Sequence, residues 1–495
     1  MSPPESAASV TLSLISHTNV GKTTLARTLL RRDIGEVADQ PHVTDVSEAH
    51  TMIETADGLR MALWDTPGFG DTAHLLKRLK SANSPIGWLL SQVWDRFRDR
   101  PLWCSQQAVR NVQSDADVVL YLVNATEDPS AAAYVGMEMQ ILEWIGKPVV
   151  VLVNQLGPPR EAAVEAREVE RWKSALGQYA VVRATLGLDA FARCWVQEGR
   201  LLETVGELLP ADKRVAHEAL TRAWQQRNLD VFQASIQVLA GQIARSARDR
   251  ESIVGESWED KVRGVIAPVL GGEARRARER AMTALATRLD AAIVESTNRL
   301  IELHGLEGEA AAEILERMRE NFTESVPVDA SIAAIVGGFL SGALGGLAAD
   351  LAAGGLTVGG GAIAGGLLGA FGAAGLAKGY NLVKGAEKPT VRWSPEFLAG
   401  LARGALLRYL AVAHFGRGRG RWQESEAPTF WQDEVASAVA VDRQALDAAI
   451  AASERGEDAD TRRVGQVIAR MAQALLQRLY PDAAGVFEQP GKVPR

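Results

Sequence analysis

The stretch SHTNVGKTT, Ser16 to Thr24, constrains what this chain can fold into more than any other. It follows a short apolar run, Val10 to Ile15, and opens a segment with helical spacing, TTLARTLLRR, so strand, tight loop and helix succeed one another. That order aims the amides of the loop and of the first helical turn at one spot, where they suit the oxygens of a phosphate. Gly21 leaves room for a close approach, Lys22 reaches the outer phosphates, and Thr23 offers a hydroxyl to Mg²⁺. The expected cradle is therefore lined by Ser16, His17, Thr18, Asn19, Val20, Gly21, Lys22, Thr23 and Thr24. Ser16 stands where the general pattern has its first glycine, and His17 is expected to pack against its neighbours rather than take part in chemistry.

Buried strands are also read in LRMALWDTPG, ending at Asp65, in Val118 to Val123, and in Val149 to Val153. Apolar runs alternating with helical stretches predict an α/β domain, a mostly parallel sheet with helices on both faces. Ligands of such sheets sit at the C-terminal strand ends. WDTPG, Trp64 to Gly68, ends one of these strands, so Asp65 is placed to hold the magnesium shell and the Gly68 amide to sense a γ-phosphate. Between the two motifs lies PHVTD, where Thr44 is the candidate switch threonine closing on Mg²⁺; Thr51 and Thr55 are alternatives. Lys22, Thr44 and Gly68 are thus the catalytic candidates, with Thr23, Thr44 and Asp65 around the metal.

SHTNVGKTT and WDTPGFGD resemble the P-loop and switch II motifs of Era-like, translation-factor-class GTPases, over about the first 210 residues. The whole chain further resembles a proteobacterial GTPase-domain family whose C-terminal half is a domain of unknown function with a Gly-rich apolar centre. The resemblance implies GTP and GDP as ligands, Mg²⁺ as cofactor, and hydrolysis of GTP to GDP and phosphate as a conformational switch. GTPases of this class read guanine with NKxD, whose Asp accepts two hydrogen bonds from the base; here the stretch is NQLG, Asn154 to Gly157. Asn154 matches, whereas Gln155 and Gly157 do not. The missing carboxylate removes a charge-assisted pair worth roughly 1.5–3 kcal/mol, which weakens the expected preference for guanine and leaves ATP open. Asn154, Gln155 and, in the run RATLG, Ala184 with Thr185 are the base-side candidates. Phe69 stands where related enzymes carry a water-orienting Gln, so slow intrinsic turnover is expected. Potassium-dependent members of the class hold the cation with the residue matched by Asn19, which implies K⁺ as a further cofactor. Asp71 is expected to be a solvated loop acid.

The 495 residues exceed the common domain size about threefold, so several folding units are expected. Residues 1–210 read as the nucleotide domain, with a helical insert over 71–113 that carries Trp88, Trp94 and Trp103 and packs against it. Residues 211–328 and 389–495 show Ala, Leu, Arg and Glu at helical periods, flanking an apolar hairpin over 329–388. The fold class expected is thus a P-loop α/β domain followed by an all-α region. Only Cys104 and Cys194 occur, without metal-ligand spacing, which argues against a disulfide framework or a zinc site. The first residues lack the pattern of a secretory signal, so a cytoplasmic location is expected.

Fifteen of the 46 Gly residues fall in two uncharged stretches, 330–349 and 351–377. Gly338, Gly342 and Gly346 recur at four-residue spacing, as do Gly361, Gly365 and Gly369, so on helices they form flat stripes for close backbone approach. A glycine-zipper hairpin follows, associated with the inner membrane and followed by Lys378, Lys384, Lys388 and Arg392 on the cytoplasmic return; burial in a soluble protein is the alternative. The stripes make self-association or a membrane-protein partner conceivable. HFGRGRGRW, His414 to Trp422, reads first as a solvated basic turn and second as a headgroup contact. Net charge −7 and the lack of an RNA module count against a nucleic-acid binder. The leading reading is a membrane-associated GTP switch; its rivals are a nucleotide-gated scaffold with negligible hydrolysis and a soluble RNA- or ribosome-associated Era-like GTPase.

Overall fold

The computed structural model describes residues 9–17, 20–31, 48–70, 72–81, 83–91, 100–157, 160–190, 194–253, 270–306, 380–383, 390–415, 429–455 and 460–487. Thr18, Asn19, Thr44, Asp71, Trp94, residues 416–422 and both Gly-rich stretches lie outside them. The chain divides into two compact units: Met1–Asp230 with His414–Trp422 and Leu476–Arg495, and Val231–Ala413 with Gln423–Leu475.

The first unit runs β1 (Ser9–Ser16), α1 (Lys22–Leu30), β2 (Glu48–Glu54), β3 (Arg60–Asp65), α2 (Thr72–Lys80), α3 (Pro85–Ser91), α4 (Arg100–Ser114), β4 (Val118–Asn124), α5 (Ala133–Ile145), β5 (Val149–Asn154), α6 (Ala162–Leu176), β6 (Val182–Gly187) and α7 (Trp195–Leu208), then enters α8 (Ala211–Arg248). Its six strands lie in the order β2-β3-β1-β4-β5-β6. β2 pairs antiparallel with β3, and every other neighbour is parallel. This is the mostly parallel sheet of a P-loop GTPase fold. Val118–Val123 and Val149–Val153 are buried at every position. Because side chains alternate between faces, both faces of the central strands must be covered.

The insert between β3 and β4 is helical where it is described, and its apolar side joins the sheet core. Leu75, Leu76, Leu79, Ile86, Leu89 and Leu102 cluster with Val119, Tyr121, Val151 and Val153, and Trp88 packs against them. Each fully buried aliphatic side chain contributes about 1.5–3 kcal/mol, enough to hold three short helices that could not persist alone.

In the second unit, the end of α8 is followed by β7 (Arg250–Ser252), α9 (Leu270–Leu303), β8 (Tyr380–Val383), β9 (Thr390–Trp393), α10 (Pro395–Ala413), α11 (Thr429–Val441), α12 (Arg443–Ser453) and α13 (Asp460–Leu479), whose residues from Leu476 onward count with the first unit. Helices dominate, and three short strands add a small antiparallel sheet ordered β7-β9-β8. The periodicity of the sequence gave no sign of that sheet, since strands of three or four residues are too short to show a period. Among the described residues, no helix is long and apolar enough to cross a membrane.

Candidate functional site

β1 and β3 are parallel neighbours in register, Leu14 beside Asp65, so the loops that leave them emerge side by side. The two are stitched together beyond the sheet. The Phe69 N–H donates to the Ser16 carbonyl at 2.9 Å, and His17 forms an isolated bridge with Phe69. The Thr66 hydroxyl donates to the Leu14 carbonyl.

At this junction the sequence-predicted side chains converge. Thr23 Oγ1 donates to Asp65 Oδ2 at 2.7 Å, and Lys22 Nζ donates to Ser16 Oγ at 3.1 Å. Ser16 thus gives the lysine a partner that a glycine at this position could not. Lys22 and Asp65 are 8% and 2% exposed. Burial pushes the Lys22 pKa down, opposed by the charges of Asp65 and Glu138. Burial pushes the Asp65 pKa up, opposed by the Thr23 hydroxyl and the Lys22 charge. Asp65 Oδ1 is buried and has no hydrogen-bond partner among the described residues. A buried carboxylate oxygen left in that state is expensive, and a hard cation would satisfy it. Thr23 and Asp65 therefore fit a magnesium ion. Gly68 is buried in the stretch after β3.

Gly21 precedes α1 with φ +90°, a left-handed conformation that side chains resist. A Cβ there would also stand 2.9 Å from Asn154 Nδ2. Thr24 and Val20 are buried beside it. His17 Nδ1 lies 2.7 Å from Glu138 Oε1, and its ring packs on Tyr134 with centroids 4.2 Å apart. Glu138 is fully buried and also accepts from Tyr121 Oη at 2.6 Å and Thr72 Oγ1 at 3.0 Å. The sequence reading passed over Glu138, although a carboxylate among Val135, Met139, Ile141 and Leu142 on the core side of α5 was a usable signal.

Where the sequence led to the expectation of base contacts, Asn154 closes β5 and ties three segments together. Its Nδ2 donates to the Val20 carbonyl at 2.8 Å, and its Oδ1 accepts from the Ala190 N–H at 2.9 Å. Gln155 follows in a left-handed conformation, φ 58°, and Gly157 at φ 85°. Ala184 is not in a loop. It pairs with Val150 inside β6, because the run RATLG continues the strand to Gly187 and the chain leaves the sheet only at Leu188. The loop that reaches Asn154 is the next one, with Asp189 and Ala190. Asp189 Oδ2 accepts from the Gly157 N–H at 3.2 Å, and the Ala190 carbonyl accepts from Thr28 Oγ1 at 2.9 Å.

Two family models match the chain. Residues 11–155 match the family described as 50S ribosome-binding GTPase, and residues 173–476 match the family described as Domain of unknown function (DUF3482). No curated protein matches the chain. Among solved structures, a variant of Aquifex aeolicus Era bound to GDP·AlF4⁻ is 16% identical, with a TM-score of 0.30 over 41% of this chain and 57% of that one. Era in complex with MgGDPNP and a fragment of 16S ribosomal RNA is 15% identical, with a TM-score of 0.29 over 41% of this chain and 58% of that one. The chain thus spans less than two thirds of the length of either Era structure. By the match over residues 173–476, more than half of its length, the chain belongs to the DUF3482 family, and ahead of that domain of unknown function it carries a P-loop domain that matches the 50S ribosome-binding GTPase family.

Proposed function

We propose that this chain binds GTP and GDP with Mg²⁺ at Ser16–Thr24 and hydrolyses GTP to GDP and phosphate as a conformational switch. The observation that carries this reading is the convergence of Lys22, Thr23 and Asp65 at the adjoining ends of β1 and β3, with one carboxylate oxygen left unsatisfied. Lys22 leaves Ser16 to meet the outer phosphates, and its low-dielectric surroundings strengthen that attraction. Thr23 and Asp65 hold the magnesium shell, joined by Thr44. Mg²⁺, when bound, offsets charge on the phosphate oxygens. Gly68 holds the γ-phosphate through its amide, and its release with Thr44 is the switching event. Asn19 is read as the ligand of a K⁺ ion that adds positive charge to the same site.

Phe69 is fully buried in the sheet core, so its side chain is committed to packing and does not orient water. That favours slow turnover and supports a second reading, a nucleotide-gated scaffold with negligible hydrolysis. Association with the inner membrane through residues 330–377 is part of the first reading and rests on the uncharged, Gly-striped sequence alone.

Phosphate release by the full chain, followed by malachite green with and without K⁺ and against Lys22→Ala, separates the two. Nucleotide-dependent release above the Lys22→Ala level supports the hydrolase; tight binding without release selects the scaffold; absence of binding removes both. Membrane association is checked by salt-washed fractionation of the full chain against a deletion of residues 330–377, and equal distribution of the two removes it.

A further inference from the structure

We propose that Ser105 on α4 is a positioning residue for the GTP switch: it holds the Gly70 backbone, and through it the Gly68 amide, in the place where that amide meets a γ-phosphate. This rests on the nucleotide reading above and gives the helical insert a part in it.

The segment after β3 is pinned at two consecutive amides, to two different elements. The Phe69 N–H donates to the Ser16 carbonyl at 2.9 Å, which ties the segment to the loop after β1. The Gly70 N–H donates to Ser105 Oγ at 3.1 Å, which ties it to α4. Ser105 is fully buried, and its hydroxyl donates in turn to the Pro101 carbonyl at 2.9 Å. Its one proton is thereby committed, and its oxygen is left to accept from Gly70. The backbones also lie close together here. A Cβ on Gly70 would stand 2.5 Å from Pro101 Cβ and 2.6 Å from Pro101 Cα, so a glycine is what lets the segment reach the start of α4.

A serine inside a helix commonly bonds the carbonyl four residues back and does no more. Ser105 adds a bond from a residue 35 positions away. The helix that carries it is itself held. Toward its far end Asn111, 3% exposed, accepts from Ser13 Oγ on β1 at 2.6 Å, and toward its start Leu102 joins Phe69 in the sheet core. α4 is thus anchored to the strand that leads into the Lys22 loop and to the segment that follows Asp65. An amide that must meet a phosphate oxygen works best where its backbone is fixed before the ligand arrives. Gly68 is one residue from the Phe69 bond and two from the Gly70 bond, so both act on it. GDP has no γ-phosphate, and the arrangement therefore bears on the triphosphate rather than the diphosphate.

The test is the affinity of the full chain, with Mg²⁺ present, for GDP and for the non-hydrolysable analogue GDPNP, wild type against Ser105→Ala, with folding checked by thermal unfolding. Alanine removes the acceptor for the Gly70 N–H with little change in volume. Ser105→Ala is expected to bind GDPNP about 3- to 10-fold more weakly than wild type does, the worth of one hydrogen bond, and to bind GDP within about twofold of wild type. Ser105→Cys, close in volume and a weaker acceptor, is expected to fall between the two, and it carries the same comparison should Ser105→Ala not fold. A merely structural role would lower both affinities alike. Equal losses for the two nucleotides, no loss for either, or a loss confined to GDP would each overturn the assignment of Ser105. Wild type that binds neither nucleotide instead overturns the reading on which it rests, and the two failures are thereby distinguished.

Discussion

His17, the second residue of the phosphate loop, shares a 2.7 Å contact with Glu138, a carboxylate buried inside α5. Through Tyr121 on β4 and Thr72 at the start of α2, the same carboxylate joins the central sheet and the helix that follows Trp64–Gly68. One acid therefore fixes the loop after β1, the sheet and the start of α2 against one another. Burial and the Glu138 charge push the Tyr121 pKa well above its usual value, so the phenol stays a donor across the working range.

Removing that acid should be costly. Glu138→Ala leaves a buried hydroxyl, a phenol and a ring nitrogen without their acceptor, and is expected to destabilise the first unit by about 2–4 kcal/mol. Glu138→Gln, which keeps an acceptor and the volume, should cost about half as much. Urea unfolding checks this, and a loss below about 1 kcal/mol for Glu138→Ala would deny the carboxylate its joining role.

Gly21→Ala should injure both stability and binding. The left-handed φ costs an alanine about 1–2 kcal/mol, and its methyl group would push on Asn154 Nδ2 from 2.9 Å. Displacing Asn154 loosens its hold on Val20 and Ala190 together. The expected outcome is a lower melting temperature and GDP affinity reduced at least about tenfold, read by thermal unfolding and nucleotide titration. Loss of stability with affinity intact would show that Asn154 absorbs the methyl group without disturbing the loop.

How far the sequence carried this reading depended on whether chemistry left a local signature. That Lys22 and Thr23 would meet Asp65 could be read ahead of the fold because the proposed phosphate site needs a glycine, a cation and a hard oxygen at fixed offsets from strand ends. Strands β4 and β5 were legible because burial on both faces demands unbroken apolar runs. The surroundings of Asn154 were not, because their parts come from three segments joined only by folding: Val20, Asn154 and the loop with Ala190. Ala184 was misplaced for a simpler reason. Thr185 and Gly187 resemble loop residues in sequence, yet pairing with β5 holds RATLG in the strand. Glu138 lay hidden as one charge on an apolar helix face, meaningful only once Tyr121, Thr72 and His17 surround it.

Asp65→Asn is expected to separate stability from function. The carboxylate is buried with one oxygen unpartnered, and burial already favours its protonated form. Neutralising it therefore should leave nucleotide-free stability unchanged or higher, in the manner of sites that carry strain for function. Nucleotide affinity in the presence of Mg²⁺ should fall about tenfold or more, while affinity in EDTA changes little. Thermal unfolding of the nucleotide-free chain and titrations with and without EDTA check it, and an equal loss in both titrations would remove Asp65 from the metal shell.

The second unit carries its own electrostatic tension. Arg408 is buried and held by neutral oxygens, Ser296 Oγ at 2.7 Å, Thr297 Oγ1 at 3.0 Å and the Ile293 carbonyl at 3.1 Å, with Gln242 Oε1 beside them. Burial pushes its pKa down to about 9. On α9, the helix that carries Ser296 and Thr297, Asp290 is 2% exposed, and burial pushes its pKa up to about 6; its Oδ1 has no partner among the described residues. An acid whose folded pKa is raised holds its proton longer in the folded state than in the unfolded one. Stability from this group is therefore full below about pH 4 and is lost as pH rises through about 6. Asp290→Asn removes the ionisation and should stabilise the second unit by about 1–3 kcal/mol at pH 7.5, with little change at pH 4. Urea unfolding at the two pH values measures the difference. An equal gain at both would assign the effect to packing rather than charge, and a loss at pH 7.5 would mean that the ionised carboxylate has found a cation that stabilises it.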